Sequence, residues 1–140
     1  MVQKDLNEAI NILKNNLEVF SEKYDIQLIY IFGSYAKGKN NKNSDLDIAV
    51  LLKKDYNPLD KLSLIGDFID TFKRDDIDLV ILNTANPVLE HQVIKHGKLV
   101  YMKDEDIKIT YEVRVLKEYM DMEYFRNTQM EYIRQWAEKQ

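Results

Sequence analysis

Apolar residues recur along this chain at two spacings, and the changes between them divide it into alternating helices and strands. Leu6, Ile10, Leu13, Leu17 and Phe20 lie three or four apart, which predicts one amphipathic helix over residues 3–22 with a single buried stripe. Ile26 to Phe32 is a nearly continuous apolar run rich in Ile and aromatics, the pattern of a strand covered on both faces. Ser34 to Lys37 begins a short helix, which Gly38 and the run Asn40-Asn41-Lys42-Asn43 end. A second strand follows over 45–52.

Asn57-Pro58 predicts another helix start, with Asn as cap and Pro in the first turn, and Leu62, Ile65, Ile69 and Phe72 on the face that packs on the sheet. Arg74 to Leu82 reads as a third strand. Asn86-Pro87 opens a helix that Gly97 closes, and Leu99-Val100-Tyr101 is a short strand or edge segment. From Asp104 to Gln140 the pattern is helical and free of Pro and Gly. One helix there would span up to about 50 Å at 1.5 Å per residue, and a bent pair near Met120–Phe125 fits the pattern as well. The expected fold is α/β, a small mixed sheet flanked by helices. Residues 1–103 form the compact domain, and 104–140 a C-terminal helical extension that packs on it or on a partner.

Composition narrows the function. A chain of 140 residues suits one compact domain. With 45% hydrophobic residues but no long apolar run, it offers neither a membrane span nor a secretory signal. Cysteine is absent, which excludes disulfides and thiolate chemistry and points to a cytoplasmic setting. A formal charge of −4 argues against direct nucleic-acid binding by the whole surface. Positive charge is local, at Lys37, Lys39 and Lys42. On charge alone that cluster is a solvated loop, but its place just after Gly33-Ser34 points to phosphates. The extension carries Tyr111, Tyr119, Met120, Met122, Tyr124, Phe125, Met130, Tyr132, Ile133 and Trp136, more apolar surface than one small core buries, which suggests a partner interface as readily as a helix wrapping its own domain.

The chemistry concentrates in two carboxylate pairs. Strand side chains alternate between faces, so Asp45 and Asp47 share one face about 7 Å apart while Leu46 and Ile48 point the other way. Two carboxylates on a rigid strand suit Mg²⁺, a hard cation usually shared with substrate phosphates. The Gly33-Ser34 turn can supply free amides to an anion, with Gly allowing close approach. A calcium loop counted from Asp45 would need Gly sixth and Glu twelfth, where this chain has Val50 and Tyr56. Asp76 and Asp78 again share a strand face. Asp76 reads as an ordinary charge at a strand entrance, whereas Asp78 sits between Ile77 and Leu79, where a carboxylate is costly unless paired or bound to metal. His91 and His96, five apart, do not share a helical face and read as surface or packing residues.

Taken together, Gly33-Ser34, Gly38, the ten residues between Ser34 and Asp45, and Ser44-Asp45-Leu46-Asp47 resemble the signature of the DNA polymerase beta-like nucleotidyltransferase superfamily. The resemblance is greatest to its minimal members, the MNT antitoxins of HEPN/MNT toxin–antitoxin systems, and covers about the first hundred residues. Where that family commonly has Arg before the second Gly, Lys37 keeps the charge without bidentate geometry. The resemblance implies a polymerase beta-like fold in which Asp45, Asp47 and Asp78 are the catalytic and metal-binding carboxylates for two Mg²⁺ ions, with Asp78 also activating the attacking hydroxyl. It implies that Gly33, Ser34, Lys37 and Ser44 bind the nucleotide, and that ATP is the donor. The implied acceptor is a tyrosine on a cognate HEPN-domain ribonuclease toxin, silenced by AMP, with the C-terminal helix docking that partner. Two other readings remain, a non-catalytic antitoxin acting by steric occlusion and a small-molecule nucleotidyltransferase of the aminoglycoside type. The intact motif argues against the first and the short chain against the second.

Overall fold

The computed structural model describes residues 2–40 and 44–139. The chain opens with two helices, α1 (Val2–Asn15) and α2 (Leu17–Tyr24), where the periodicity predicts one. Asn16 breaks it. Its backbone leaves the helical region (φ −115°, ψ 5°) and its side-chain amide donates to the Ile12 carbonyl at 2.8 Å, so a short polar side chain competes with the helix for its own acceptors. Leu13, Phe20 and Tyr24 are buried on either side of the break.

Strand β1 (Ile26–Phe32) leads into α3 (Gly33–Lys37), and β2 (Leu46–Leu52) follows. Next come α4 (Asp60–Phe72), β3 (Ile77–Ile81), a 3-10 turn at Leu82–Thr84, α5 (Pro87–His96) and β4 (Lys98–Met102). The four strands lie in the order β3-β2-β1-β4. β1 is antiparallel to β2 and β4, and β2 is parallel to β3, so the sheet is mixed as the alternation predicts.

Both faces of the sheet are covered, which is why β1 reads as unbroken apolar sequence. Ile29, Ile31, Ile48 and Val50 pack under α1, α2 and α4 with Leu13, Phe20, Leu64 and Phe68. Leu28, Tyr30 and Ala49 face α5 and the last helix, meeting Val93, Tyr111 and Val115.

Helix α4 starts later than Asn57-Pro58 suggests. The Asn57 side chain accepts from the Leu59 amide at 3.0 Å and its carbonyl from the Asp60 amide at 2.8 Å, which closes a turn ahead of the helix. Leu64 and Phe68 fill the core, so Leu62, about 200° around the helix from Leu64, is exposed and does not belong to the packing face the sequence suggests. Asn86 caps α5 by accepting from the Leu89 amide at 2.9 Å. Gly97 ends it with φ −79°, so no left-handed turn calls for glycine; a Cβ there would lie 2.3 Å from the Val93 carbonyl oxygen.

Helix α6 (Glu105–Glu138) is one continuous element of 34 residues, capped by Asp104, and no bend divides it. Tyr111 and Val115 seat its first half. Beyond Met120 every described residue is exposed, so the helix projects from the body instead of wrapping it. No helix among the described residues is long and apolar enough to cross a membrane.

Candidate active site

Three chain segments meet at one end of the sheet. The antiparallel register sets Phe32, the last residue of β1, opposite Asp47, and the parallel register sets Asp47 opposite Asp78. The turn at Gly33, the start of β2 and the start of β3 are thereby brought together across a sequence separation of 45 positions, from 33 to 78.

Gly33 adopts φ +72°, and a Cβ built on it would lie 2.0 Å from Asp47 Oδ2. Both facts demand glycine, since L side chains avoid this region and the Asp47 carboxylate occupies the space a side chain would need. The close approach expected for a ligand is thus made first by the chain's own carboxylate. Gly38, also left-handed at φ 71°, closes α3.

Asp47 is half-buried, and its carboxyl is pushed up to about 6, by burial first, then by the negative charges of Asp78 and Asp45 and a hydrogen bond shared with Asp78. Asp45 lies one residue ahead of β2 and is exposed. Asp78 is exposed as well, which corrects the argument that its neighbours Ile77 and Leu79 bury it; strand alternation turns those two inward and the carboxylate outward, over the site.

Asp76 takes no part in this group. It is ion-paired with Arg74 through both carboxylate oxygens, and Arg74 holds its carboxyl below the usual range. Of the remaining predicted residues, Ser34 follows Gly33 and Ser44 precedes Asp45 along the chain. Ser34 is half-buried in the first turn of α3, and its carbonyl accepts from the Lys39 amide at 2.8 Å. Lys37 and Lys39 are exposed, and Ser44 is half-buried beside Asp45. Lys42 lies outside the described residues.

The donor set fits a hard divalent cation. Asp47 and Asp78 are adjacent carboxylates, Asp45 adds a third negative charge, and among the described residues no ion pair neutralises them. Among those residues no group of three or more His, Cys, Asp or Glu side chains is gathered closely enough to hold a metal by itself. Mg²⁺ keeps several oxygen positions for water and substrate phosphates, so adjacent carboxylates can serve it with the rest supplied from outside the chain. His91 stacks flat on Tyr119, ring centroids 3.7 Å apart, and packs α5 on α6.

Sequence reasoning missed Arg74 and Tyr35. Arg74 stands in an acidic run and Tyr35 in the motif itself, but nothing in their spacing indicates that they touch.

A model of the family "Polymerase beta, Nucleotidyltransferase" matches residues 10–106. The chain belongs to this nucleotidyltransferase family. It is 32% identical to the protein adenylyltransferase MntA of Shewanella oneidensis, over 88% of this chain and 83% of that protein. Among solved structures, this nucleotidyltransferase superposes with a TM-score of 0.68 on a chain of a toxin–antitoxin crystallised with AMP-PNP, at 30% identity and covering 91% of this chain and 97% of that one. A second similar chain comes from a complex of a tri-AMPylated Shewanella oneidensis HEPN toxin with its MNT antitoxin, with a TM-score of 0.63 and 28% identity over 95% of this chain and 98% of that one. The resemblance in the motif thus extends over the fold, and the polymerase beta-like architecture expected from the sequence is the one observed.

Proposed function

We propose that this nucleotidyltransferase is the antitoxin of a toxin–antitoxin pair and transfers AMP from ATP to a tyrosine hydroxyl of a cognate HEPN-domain ribonuclease. The observation that carries this reading is the register of Asp47 beside Asp78 against the Gly33 turn, in a chain similar to MntA over most of its length. A purely steric inhibitor has no use for an Asp47 carboxylate half-buried beside Asp78 and near the charge of Asp45.

Asp45 and Asp47, with Asp78, would hold Mg²⁺. Bound there, it would supply positive charge to the triphosphate and to the leaving oxygen of an in-line displacement. Ser34 and the amides of the Gly33 turn hold the outer phosphates, Lys37 adds positive charge, and Ser44 orients the nucleotide beside Asp45. The acceptor hydroxyl oxygen forms a bond to the α-phosphorus as the bond from that phosphorus to the β-phosphate oxygen breaks. Asp78, the open carboxylate, takes the hydroxyl proton, and pyrophosphate departs.

Helix α6 is the docking element in this reading. The spacing of its buried residues Tyr111 and Val115 continues through Glu118 to Met122, Phe125, Ile133 and Trp136, the last four exposed. An open cleft of about 540 Å³ lies between Pro87 and the Met122 and Phe125 side of the helix. Similar chains have been solved with toxin partners, and the HEPN protein is the occupant this stripe is assigned.

Intact-mass analysis of the HEPN partner after incubation with this chain, Mg²⁺ and ATP tests the proposal. Mass gains in AMP units, absent with Asp45→Ala/Asp47→Ala, are expected. A stable complex without mass gain would leave neutralisation by occlusion and overturn the catalytic reading.

A further inference from the structure

The guanidinium of Arg74 makes contacts to three separate segments. Its Nη1 donates to the Tyr35 hydroxyl at 2.5 Å, and its Nη2 to the Ser44 carbonyl at 2.9 Å and to Asp76 Oδ2 at 2.6 Å, while Nε donates to Asp76 Oδ1. Tyr35 is buried in α3, directly after Ser34. Ser44 immediately precedes Asp45. Asp76 stands two residues before Asp78, and its carbonyl accepts from the Leu46 amide at 2.9 Å, joining the entrances of β2 and β3. Each of the three segments that carry proposed site residues is therefore tied to this side chain within one or two residues of the group it carries.

The planar fork suits this task. Five donors in fixed directions allow a guanidinium to bridge a hydroxyl, a carbonyl and a carboxylate at once, which an ammonium on a flexible stem cannot do in the same geometry. Asp76 neutralises the charge and fixes the orientation of the fork, so its place near the catalytic carboxylates is explained without any contact to substrate. The side chain is only about a quarter exposed, at 26%. Tyr35 Oη and Ser44 O have strong donors from it, and these bonds span the connection from α3 to β2 from both sides.

We propose that Arg74 is the positioning residue of this site, holding the phosphate-binding turn, the Asp45/Asp47 strand entrance and the Asp78 strand entrance in the relative placement that catalysis requires. The inference rests on the functional reading above and assigns no direct contact between Arg74 and substrate. Positioning of this kind governs rate steeply, since displacements of about 1 Å at a reacting centre cost on the order of 10²-fold.

The test compares Arg74→Gln and Arg74→Lys with wild type, and with Leu52→Ala, a buried truncation at the end of β2 opposite the carboxylates and outside α6, which controls for lost stability. Two quantities are measured: AMP transfer to the HEPN partner at saturating Mg·ATP, and binding of Mg·AMP-PNP to the chain by calorimetry. Arg74→Gln is expected to lower turnover about 10- to 100-fold and to weaken Mg·AMP-PNP binding about tenfold, with Leu52→Ala near wild type in both at temperatures where all are folded. Arg74→Lys is expected to restore little of either. Wild-type behaviour of Arg74→Gln, full restoration by Lys, or equal losses in Leu52→Ala would each overturn the proposal. If the wild-type chain transfers no AMP, the functional reading fails and binding decides the role of Arg74: tenfold weaker binding of Arg74→Gln upholds it, and equal binding, or none by either protein, overturns it.

Discussion

Gly33 carries two constraints at a single residue, a left-handed backbone and a carboxylate in the space where a Cβ would sit. Gly33→Ala is therefore expected to cost about 1–2 kcal/mol from the backbone alone and to displace Asp47, so AMP transfer should fall by about two orders of magnitude; chemical denaturation and a transfer assay check the two parts separately. Asp47 makes the second residue-scale prediction. Its folded pKa of about 6 lies above the ordinary value of 3.8, so between these values the native state binds more protons than the unfolded chain. Stability must then fall as pH rises through this range, and the metal-free protein should melt at lower temperature at pH 7 than at pH 5 as far as this group contributes. Asp47→Asn removes the crowded charge. It should raise the melting temperature at pH 7.5 without Mg²⁺, flatten the pH dependence and abolish transfer, all readable from thermal melts and the mass assay.

Between elements, the joint of α5 and α6 rests on polar groups that periodicity does not reveal. Glu90 is 3% exposed, and burial raises its carboxyl. Tyr111 donates to it at 2.8 Å and Arg114 approaches within 3.8 Å, so a buried acid is satisfied across the interface. Tyr111→Phe keeps the ring and removes the donor, and it should destabilise the protein by about 1–3 kcal/mol, measured by the urea midpoint. In sequence Glu90 passes for a surface charge on α5, because its partners are 21 or more residues away. The same limit explains the helix boundaries. Periodicity located the stripe of the first two helices but placed that of α4 on Leu62, Ile65, Ile69 and Phe72, where Leu64 and Phe68 are the buried residues. The break at Asn16 and the late start of α4 depend on which backbone groups a single asparagine captures.

At the scale of the whole molecule, α6 divides into a seated half and a projecting half, and the apolar stripe runs through both. Phe125→Glu or Trp136→Glu should weaken the complex with the HEPN partner more than tenfold while Mg·AMP-PNP binding stays unchanged, because neither residue is near the carboxylates. Titration calorimetry and size-exclusion chromatography distinguish these outcomes. An equal loss of nucleotide binding would mean that α6 supports the fold and not a partner.

Local sequence determined much of this protein. The Gly33-Ser34 turn, the alternation that aims Asp45 and Asp47 and the caps at Asn86 and Gly97 all follow from chain geometry within a few residues. The α/β class follows from the succession of apolar spacings, each of which reports the face its own element buries. Tertiary structure decided what depends on distant partners. Pairing β2 with β3 in parallel set Asp78, not Asp76, beside Asp47, and a single guanidinium drew Tyr35, Ser44 and Asp76 together across up to 41 residues. Such contacts leave no periodic trace, because hydrogen bonds and charge pairs act through space while sequence patterns record only the neighbourhood along the chain. Whether α6 covers its own core or leaves it is likewise a question of where the body ends beneath it, and that is fixed only when the sheet and α5 have folded.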